Sequence, residues 1–317
     1  MRYRPLGSTG LNVSVLSYGA SPLGNAFRTI DDQEGIRTVR TALDLGINFL
    51  DTSPHYGVTK SETVLGRALQ GVPRDSYYLA TKVGQYGEGN FDFSAARVTQ
   101  SFEESCARLG TDYIDVLHCH DIEFADLSQI VHETLPALVK LRDAGRVGHL
   151  GITGLPLKVF PAVIERAPPG TVEAVLSFCR YCLNDTALEA LIPAFQAKGI
   201  GIINASATGM GLLTERGAPG WHPAPESIKA GCRRAVEYCQ SVGADITKLA
   251  LQFAVQHPAI ATTLVGTASP ENIRKNVAYI EEPLDHELLA KVQEVLRPIH
   301  NHNFTRGRPE NRDAIIG

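Results

Sequence analysis

The sequence has little of what would direct a chain to a membrane or hold it together covalently. Its six cysteines in 317 residues are too few for a disulfide scaffold and suit a reduced compartment. No apolar run approaches the roughly 18 residues that cross a bilayer, and the opening MRYRPLGSTG lacks the apolar stretch of a secretory signal. With 30 Lys and Arg against 34 Asp and Glu, it also lacks the charge excess of a nucleic-acid or anionic-membrane binder. We therefore expect a cytoplasmic protein that binds neither nucleic acid nor membrane.

What the sequence does have is a regular alternation of short apolar runs with amphipathic stretches. The hydrophobic fraction of 44% and the mean hydropathy of −0.06 are typical of a folded globular chain. Helical signals recur between the runs: Ser94 is placed to cap a helix that buries Val98 and Phe102, and Thr134 is placed to cap the next helix. Eight runs have the length and composition of strands: 15–19, 47–51, 77–82, 113–118, 147–152, 172–178, 199–204 and 261–265.

Eight strands that alternate with helices predict an α/β fold of the (β/α)8 type, a TIM barrel. We expect one domain over 1–317, with a small N-terminal hairpin over 1–14 ahead of the barrel. Two segments are additional to the eight units, a long loop over 209–224 and a C-terminal helix and tail over 285–317. The alternative is an open, doubly wound sheet. It is disfavoured because no G-x-G-x-x-G follows the first strand, where 19–24 read GASPLG, and no Walker motif is present.

Polar side chains fall at the ends of three successive predicted strands. The active site of such a barrel lies at the carboxyl ends of its strands. The second strand ends at Asp51, the third at Lys82, and the fourth runs into His118 and His120. Because side chains alternate along a strand, both histidines point the same way. We expect these residues, joined by Tyr56 from the loop after the second strand, to face one opening.

The cysteines near this opening invite a metal interpretation, which the spacing does not favour. Alternation turns Cys119 away from the two histidines and toward the helices, and no other ligand set has suitable spacing. The C-x-x-C over 179–182 has no partner pair, so we interpret it as packing. We therefore expect no metal site.

Residues 46–57, GINFLDTSPHYG, resemble the signature of the aldo-keto reductases, and the resemblance extends over nearly the whole chain. It implies a catalytic tetrad of an aspartate, a tyrosine, a lysine and a histidine, and the matching residues are Asp51, Tyr56, Lys82 and His120. His120 is preferred to His118 because the family's histidine follows the fourth-strand aspartate, here Asp115, by five positions. For each residue alone, an ordinary ion pair or a packing role is the alternative.

The chemistry of these four types is coherent. A tyrosine has a pKa of about 10 and exchanges protons poorly near neutrality. A lysine ammonium beside it favours the phenolate and lowers that pKa. A buried aspartate keeps the lysine charged, and a histidine can fix the reacting oxygen by a hydrogen bond.

The segment after the eighth strand, 264–272, reads LVGTASPEN and precedes a helix. Small residues there let backbone N–H groups approach phosphate at the helix N-terminus. Taken alone, the segment is more typical of an ordinary helix cap, but its position after the eighth strand favours a phosphate site. The resemblance implies that it binds a nicotinamide dinucleotide, through these residues and one after the seventh strand: Gly266, Thr267, Ala268, Ser269, Asn272, Asn276 and Ser206.

The resemblance further implies NAD rather than NADP. Family members that prefer NADP hold its extra phosphate with cationic side chains, and the matching positions here are Gly266, Ala268 and Asn272. Glu271 adds a negative charge nearby. Two cations, Arg274 and Lys275, follow in the predicted helix, and we expect helical spacing to turn them away from Asn272.

The chain departs from the family pattern around the nicotinamide. Ala205 stands where a tyrosine often stacks on the ring, and Phe178 and Tyr181 are the candidates to replace it. Residues 153–154, Thr-Gly, replace the usual Ser-Asn, and the usual glutamine of the sixth strand is replaced by Ser177 or Phe178.

Several segments resemble the L-galactose dehydrogenase branch of the family, among them 117–124, 151–157 and 209–215. This implies oxidation of an aldose, with L-galactose favoured, at C1 to its lactone by a monomer or small homo-oligomer. One alternative is an aldo-keto reductase or dehydrogenase for another aldose or an aldehyde, such as L-fucose or D-arabinose. A non-catalytic, cofactor-binding regulatory subunit, like the potassium-channel β subunits, is the other alternative, but those carry asparagine where this chain has His120.

The residues expected to contact the sugar are His55, Asp121 and Trp221. The tail over 300–317, with Arg306, departs from the branch. It either shapes the substrate opening or forms a disordered end.

Overall fold

Eight parallel strands close into a barrel in the computed structural model, which describes residues 1–314. Each strand pairs with the next in chain order, and the eighth pairs with the first. This confirms the predicted (β/α)8 barrel, and no strand bound differs from the prediction by more than two residues. The strands are Leu16–Gly19, Phe49–Asp51, Tyr78–Val83, Ile114–Cys119, Val147–Gly154, Ala174–Phe178, Gly201–Ala205 and Thr262–Val265.

Helices cover the outside of the barrel and follow the strands in order. They are Asp32–Asp44, Lys60–Leu69, Ala95–Leu109, Leu127–Gln129, Leu135–Asp143, Val159–Ile164, Ile192–Ala197, Glu226–Ser241, Ile246–Ala254, Pro270–Glu281 and His286–Leu296. Ser94 caps Ala95–Leu109 as predicted: its side chain accepts the N–H of Arg97, and Val98 and Phe102 are buried. No helix within residues 1–314 combines the length and apolar character that crossing a bilayer would take.

The predicted cap at Thr134 is wrong. The helical stretch begins earlier, at Leu127, where Asp126 accepts the N–H of Ser128. Thr134 lies inside a wide π turn of that stretch, and its hydroxyl donates instead to the Phe93 carbonyl at 2.6 Å. The local sequence pattern indicated a helix start, but the Thr134 hydroxyl forms a hydrogen bond to a carbonyl 41 positions away and does not cap a helix.

The predicted N-terminal hairpin is present and closes the bottom of the barrel. Tyr3–Pro5 pairs antiparallel with Asn12–Ser14. Leu6, which follows the first of these strands, is fully buried in an apolar cluster inside the barrel with Phe49 and Ile203. Apolar side chains thus fill the amino-terminal end, and the polar side chains collect at the opposite end.

The predicted C-terminal segment contains helix His286–Leu296 and then a tail that runs back over the carboxyl-terminal end of the barrel. The last three residues of that segment, 315–317, lie outside the described part of the chain. The tail is held by side chains along its length, so the structure does not support the alternative of a disordered end up to residue 314.

Candidate active site

The four side chains implied as a tetrad lie together at the carboxyl-terminal opening of the barrel. Asp51 ends the second strand, Lys82 lies in the third, and His120 directly follows the fourth. Tyr56 lies in the loop before helix Lys60–Leu69. The centroid of its ring is 4.7 Å from Lys82 Nζ and 5.7 Å from the His120 ring, which stands edge-on to it at 88°. All four line one cleft of about 660 Å³.

Lys82 is held as a cation inside the barrel. Its Nζ donates to Asp51 Oδ1 at 2.5 Å and to the Thr52 carbonyl at 2.7 Å. Burial is the largest single influence and lowers the pKa of Lys82, but the charges of and hydrogen bonds to Asp51 and Tyr56 together outweigh it and raise that pKa. A permanent positive charge therefore lies beside the Tyr56 ring.

Tyr56 does not have the lowered pKa that the sequence predicted. Burial raises the pKa of its phenol above the ordinary value, and attraction to Lys82 offsets only part of that rise. The Lys82 cation is visible in the sequence, whereas the hydration that Tyr56 loses at the closed end of the cleft is not. The phenol of the free protein therefore keeps its proton near neutral pH.

His120 is oriented by Ser53, a residue that the sequence analysis missed. His120 Nδ1 lies 3.0 Å from Ser53 Oγ, which also accepts the backbone N–H of His55. A Ser53 hydroxyl that donates to Nδ1 leaves the imidazole proton on Nε2, the tautomer in which His120 can donate to a bound oxygen. Burial, and then the charge of Lys82, lower the pKa of His120 well below its usual value. The ring is therefore neutral, with Nε2–H available to an oxygen in the cleft.

His118 lies deeper in the barrel, below the cleft. It is fully buried, it is in register with Lys82 on the neighbouring strand, and it packs on Gly151, where a Cβ would come within 2.2 Å of its Nδ1. Neither ring nitrogen has a hydrogen-bond partner within residues 1–314. Burial, and then the Lys82 charge, lower the pKa of His118 to about 3.

Replacing His118 by leucine is expected to make the fold less sensitive to acid. An unfolded histidine binds a proton near pH 6.5, whereas folded His118 does so only near pH 3. Between these values the unfolded state binds more protons, so wild-type stability falls as the pH drops, by about 1.4 kcal/mol per pH unit from this residue. Urea unfolding of both proteins at several pH values across this range measures the difference. The same pH dependence in both proteins would contradict the assignment.

The cysteines near the opening have packing roles. Cys119 is fully buried in the layer between strands and helices, and Cys179 and Cys182 are buried and unpaired. In the part of the chain that the structure describes, no group of three or more His, Cys, Asp or Glu side chains is arranged to hold a metal ion.

The other end of the cleft is formed by the segment after the eighth strand. Helix Pro270–Glu281 begins there, and the side chain of its N-cap, Ser269, accepts the N–H of Asn272. The residues predicted to bind the cofactor all line this cleft: Ser206, Gly266, Thr267, Ala268, Ser269, Asn272 and Asn276.

These residues fit a nicotinamide dinucleotide. The first-turn N–H groups of a helix lack intrahelical partners and attract phosphate. Gly266 keeps the floor of the cleft open, since a Cβ there would come within 3.1 Å of Pro22 and 3.2 Å of the Gly19 carbonyl. One cleft therefore joins a phosphate-binding end to the Tyr56 end, as a dinucleotide requires.

Lys275 lines the cleft too, contrary to the prediction that it turns away. It lies three residues after Asn272, and positions three apart share a helix face. Its Nζ lies 3.9 Å from the Glu271 carboxylate, and both side chains are exposed. The prediction is wrong for Lys275 because only Arg274, two residues after Asn272, lies on a different face of the helix.

Of the two aromatic candidates for the nicotinamide face, Phe178 lies in the cleft, beside Ala205. Tyr181 stacks instead on Phe253, with ring centroids 5.2 Å apart, and does not line the cleft. Ser177 lies outside the cleft lining, whereas Leu176 and Phe178 of the same strand line it, so Phe178 is the sixth-strand aromatic ring that faces the cleft.

The three side chains predicted to contact substrate also line the cleft. His55 lies 5.8 Å from the His120 ring, and its buried Nδ1 has no partner within residues 1–314. Trp221 is 54% exposed at the rim, 5.7 Å from the ring of Phe27. The third, Asp121, is buried directly after His120.

Asp121 is held by two partners from other parts of the chain. Its N–H donates to Thr153 Oγ1 at 2.8 Å, and Thr153 Oγ1 donates back to Asp121 Oδ1 at 3.2 Å. The second partner, Arg306, comes from the C-terminal tail and lines the same cleft. Arg306 was not among the residues predicted to contact the sugar.

Comparison with known proteins agrees with this geometry. The model of the Aldo/keto reductase family matches residues 15–297. The chain therefore belongs to the aldo/keto reductase family of oxidoreductases, which use nicotinamide cofactors, and the resemblance seen in the sequence is confirmed.

Individual relatives narrow the comparison. The chain is 49% identical over 314 residues to an L-galactose dehydrogenase from Arabidopsis thaliana, covering 97% of this chain and 98% of the relative. It is 32% identical to a D-arabinose 1-dehydrogenase from Saccharomyces cerevisiae, covering 83% and 82%. Among solved structures, a holo aldo-keto reductase from Bacillus halodurans matches with a TM-score of 0.79 and 26% identity, over 99% of this chain and 100% of that one.

Proposed function

We propose that the protein is an NAD-dependent aldose 1-dehydrogenase that oxidises the anomeric carbon of L-galactose to the lactone. One observation carries the proposal: a single cleft joins the Asp51–Lys82 ion pair, Tyr56 and His120 to the N-terminus of helix Pro270–Glu281. The choice of sugar rests on the relative at 49% identity, which is named as an L-galactose dehydrogenase. L-Fucose and D-arabinose are alternatives with the same chemistry.

The residues of the chain handle the proton of this reaction. Tyr56 accepts the proton of the C1 hydroxyl in its phenolate form, which is a minor form near neutral pH and which the Lys82 cation stabilises. Asp51 keeps Lys82 charged. His120 donates from Nε2 to the C1 oxygen and holds it near Tyr56. The nicotinamide, when bound, supplies the acceptor for the C1 hydride.

The product follows from the atoms that leave. A cyclic aldose carries a hydroxyl, a hydrogen and the ring oxygen on C1. Loss of the hydroxyl proton to Tyr56 and of the hydride leaves a carbonyl beside the ring oxygen, which is a lactone. No free aldehyde is required, so the ring form can be the substrate.

L-Galactose is expected to have the highest kcat/KM among L-galactose, L-fucose and D-arabinose. A site that hydrogen-bonds a hydroxyl loses about tenfold or more when the hydroxyl is missing, because its own polar groups are left unpaired. The assay follows reduced nicotinamide with NAD and with NADP, and mass spectrometry identifies the lactone. Equal kcat/KM values for the three sugars would contradict L-galactose as the preferred substrate, but aldose oxidation would still stand as the reaction class.

The same assay distinguishes the proposed enzyme from a non-catalytic, cofactor-binding regulatory subunit. A putative voltage-gated potassium channel subunit beta from Schizosaccharomyces pombe is 28% identical to this chain. Nucleotide binding without oxidation of any aldose would favour that role over the proposed enzyme. The proposal also places the protein in the cytoplasm, where reducing conditions keep its six buried cysteines free.

A further inference from the structure

The C-terminal tail is built into the wall of the cleft. After helix His286–Leu296, it crosses the loops that follow the fourth, fifth and sixth barrel strands. Gly307 has φ +85 and lies so close to Glu123 that a Cβ there would come within 2.6 Å of the Glu123 carbonyl oxygen. The side chains that anchor the tail by hydrogen bonds to these loops are Asn301, Asn303, Asn311 and Asp313.

This anchored tail delivers one guanidinium group to the cleft. Arg306 Nη2 donates to Asp121 Oδ2 at 2.7 Å, and its Nε lies 3.2 Å from Glu123 Oε1. Its Cζ lies 4.8 Å from the centroid of the Phe124 ring and 5.4 Å from that of Phe178. The Asp121 carboxylate, the Glu123 carboxyl group, whose pKa burial and Asp121 raise to about 8, and two aromatic rings therefore fix the plane of the guanidinium, so little side-chain entropy remains to be lost on binding.

The guanidinium of Arg306 has N–H donors that no hydrogen bond within residues 1–314 engages. A guanidinium carries five N–H donors, and among residues 1–314 no hydrogen bond engages Nη1 of Arg306. Its side chain is 27% exposed and lines the cleft with Tyr56 and His120. Asp121, one residue after His120, lies between the guanidinium and the reacting end, with Asp121 Oδ1 3.9 Å from His120 Nε2.

An aldose matches this arrangement. Its adjacent hydroxyls each donate and accept, so a neighbouring guanidinium and carboxylate can engage two of them at once. We propose that Arg306, together with Asp121, binds the sugar hydroxyls away from C1 and thereby determines which aldose is accepted. This inference rests on the proposed function and adds a residue from the tail to it.

The test compares Arg306→Met with Arg308→Met. Arg308 lies two residues further along the same tail, is 47% exposed, pairs with Glu310 and does not line the cleft. With L-galactose, R306M is expected to raise KM by about 10–100-fold while kcat changes little, because Arg306 binds hydroxyls that do not react. R308M is expected to behave as wild type, and both variants are expected to bind the dinucleotide normally.

The change in selectivity is the sharper readout. L-Fucose lacks the C6 hydroxyl of L-galactose, and D-arabinose lacks that carbon altogether. R306M is expected to narrow the differences in kcat/KM among the three sugars. A KM within about twofold of wild type, with the ratios among sugars unchanged, would overturn the inference. Weakened dinucleotide binding in R306M would assign Arg306 a structural role instead.

A rescue experiment covers the case in which R306M folds poorly. In Arg306→Ala, millimolar guanidinium is expected to lower the KM for L-galactose toward the wild-type value, whereas equal sodium chloride is not. Failure of guanidinium to act differently from sodium would count against the inference. A wild-type protein that oxidises none of the three sugars overturns the proposed function and this inference together, whereas an active wild type with an unchanged R306M overturns the inference alone.

Discussion

Replacing Tyr56 by phenylalanine is expected to lower kcat for aldose oxidation by about 10²–10⁴-fold. The variant keeps the ring that lies 4.7 Å from Lys82 Nζ and edge-on to His120. It loses the oxygen to which we assign the proton of the C1 hydroxyl. Neither the Lys82 ammonium nor the neutral His120 ring is suited to take that proton, since Lys82 is already protonated and the free nitrogen of His120 faces Ser53.

Steady-state kinetics and nucleotide binding together measure this effect. Tyr238→Phe, in helix Glu226–Ser241 and outside the cleft lining, is the matched control and is expected to be silent. Because burial raises the pKa of Tyr56, wild-type kcat is expected to rise toward alkaline pH as the phenolate forms, and Tyr56→Phe is expected to lose that rise. A variant that keeps more than about a tenth of wild-type kcat would remove Tyr56 from the proton-transfer role.

The barrel and the grouping of the tetrad could be predicted because both follow from short-range patterns. Each strand is a local apolar run, and the rule that parallel strands end at one face places Asp51, Lys82 and His120 together without any knowledge of distant contacts. In the structure these three side chains line one cleft at the expected end of the barrel. The sequence also placed Ser269 and Asn272 at a helix start, where the N-cap hydrogen bond is found.

What could not be predicted depends on contacts between distant positions. Arg306 meets Asp121 across 185 positions, and no periodicity links them. Thr134 had the pattern of a cap but donates to a carbonyl 41 positions away. The pKa of Tyr56 was predicted in the wrong direction because hydration depends on how the cleft closes, which a spacing argument does not contain. Ser53 was visible in the signature segment and was missed because its partner, His120, comes from another strand.

The enzyme is expected to prefer NAD to NADP by about 10²–10⁴-fold in affinity. A charge-assisted hydrogen bond contributes about 1.5–3 kcal/mol, and the three positions where the family places cations for the extra phosphate hold Gly266, Ala268 and Asn272. Lys275 does line the cleft, but it lies 3.9 Å from the Glu271 carboxylate. A phosphate dianion approaching this exposed pair meets no net positive charge, so Lys275 does not replace the missing cations.

Two substitutions test the expected preference for NAD: one adds a positive charge and the other removes a negative charge. Asn272→Arg adds a cation at the helix N-terminus and is expected to narrow the gap between the cofactors. Glu271→Gln removes the charge that occupies Lys275 and is expected to narrow it as well, whereas Arg274→Gln, at a position outside the cleft lining, is the silent control. The measurement is kcat/KM for NAD and NADP with one saturating sugar.

A wild-type preference for NADP would place phosphate recognition on a cation that the family pattern does not use. Lys275 and Arg216 both line the cleft. The variants Lys275→Met and Arg216→Met would show which of the two binds the phosphate, because replacing that residue lowers the affinity of the enzyme for NADP and leaves its affinity for NAD unchanged. If Glu271→Gln alone converts the enzyme to NADP, the preference for NAD depends on the Glu271–Lys275 pair and not on the uncharged positions. Equal use of both cofactors by the wild type and all variants would show that the ribose edge of the cofactor does not contact helix Pro270–Glu281.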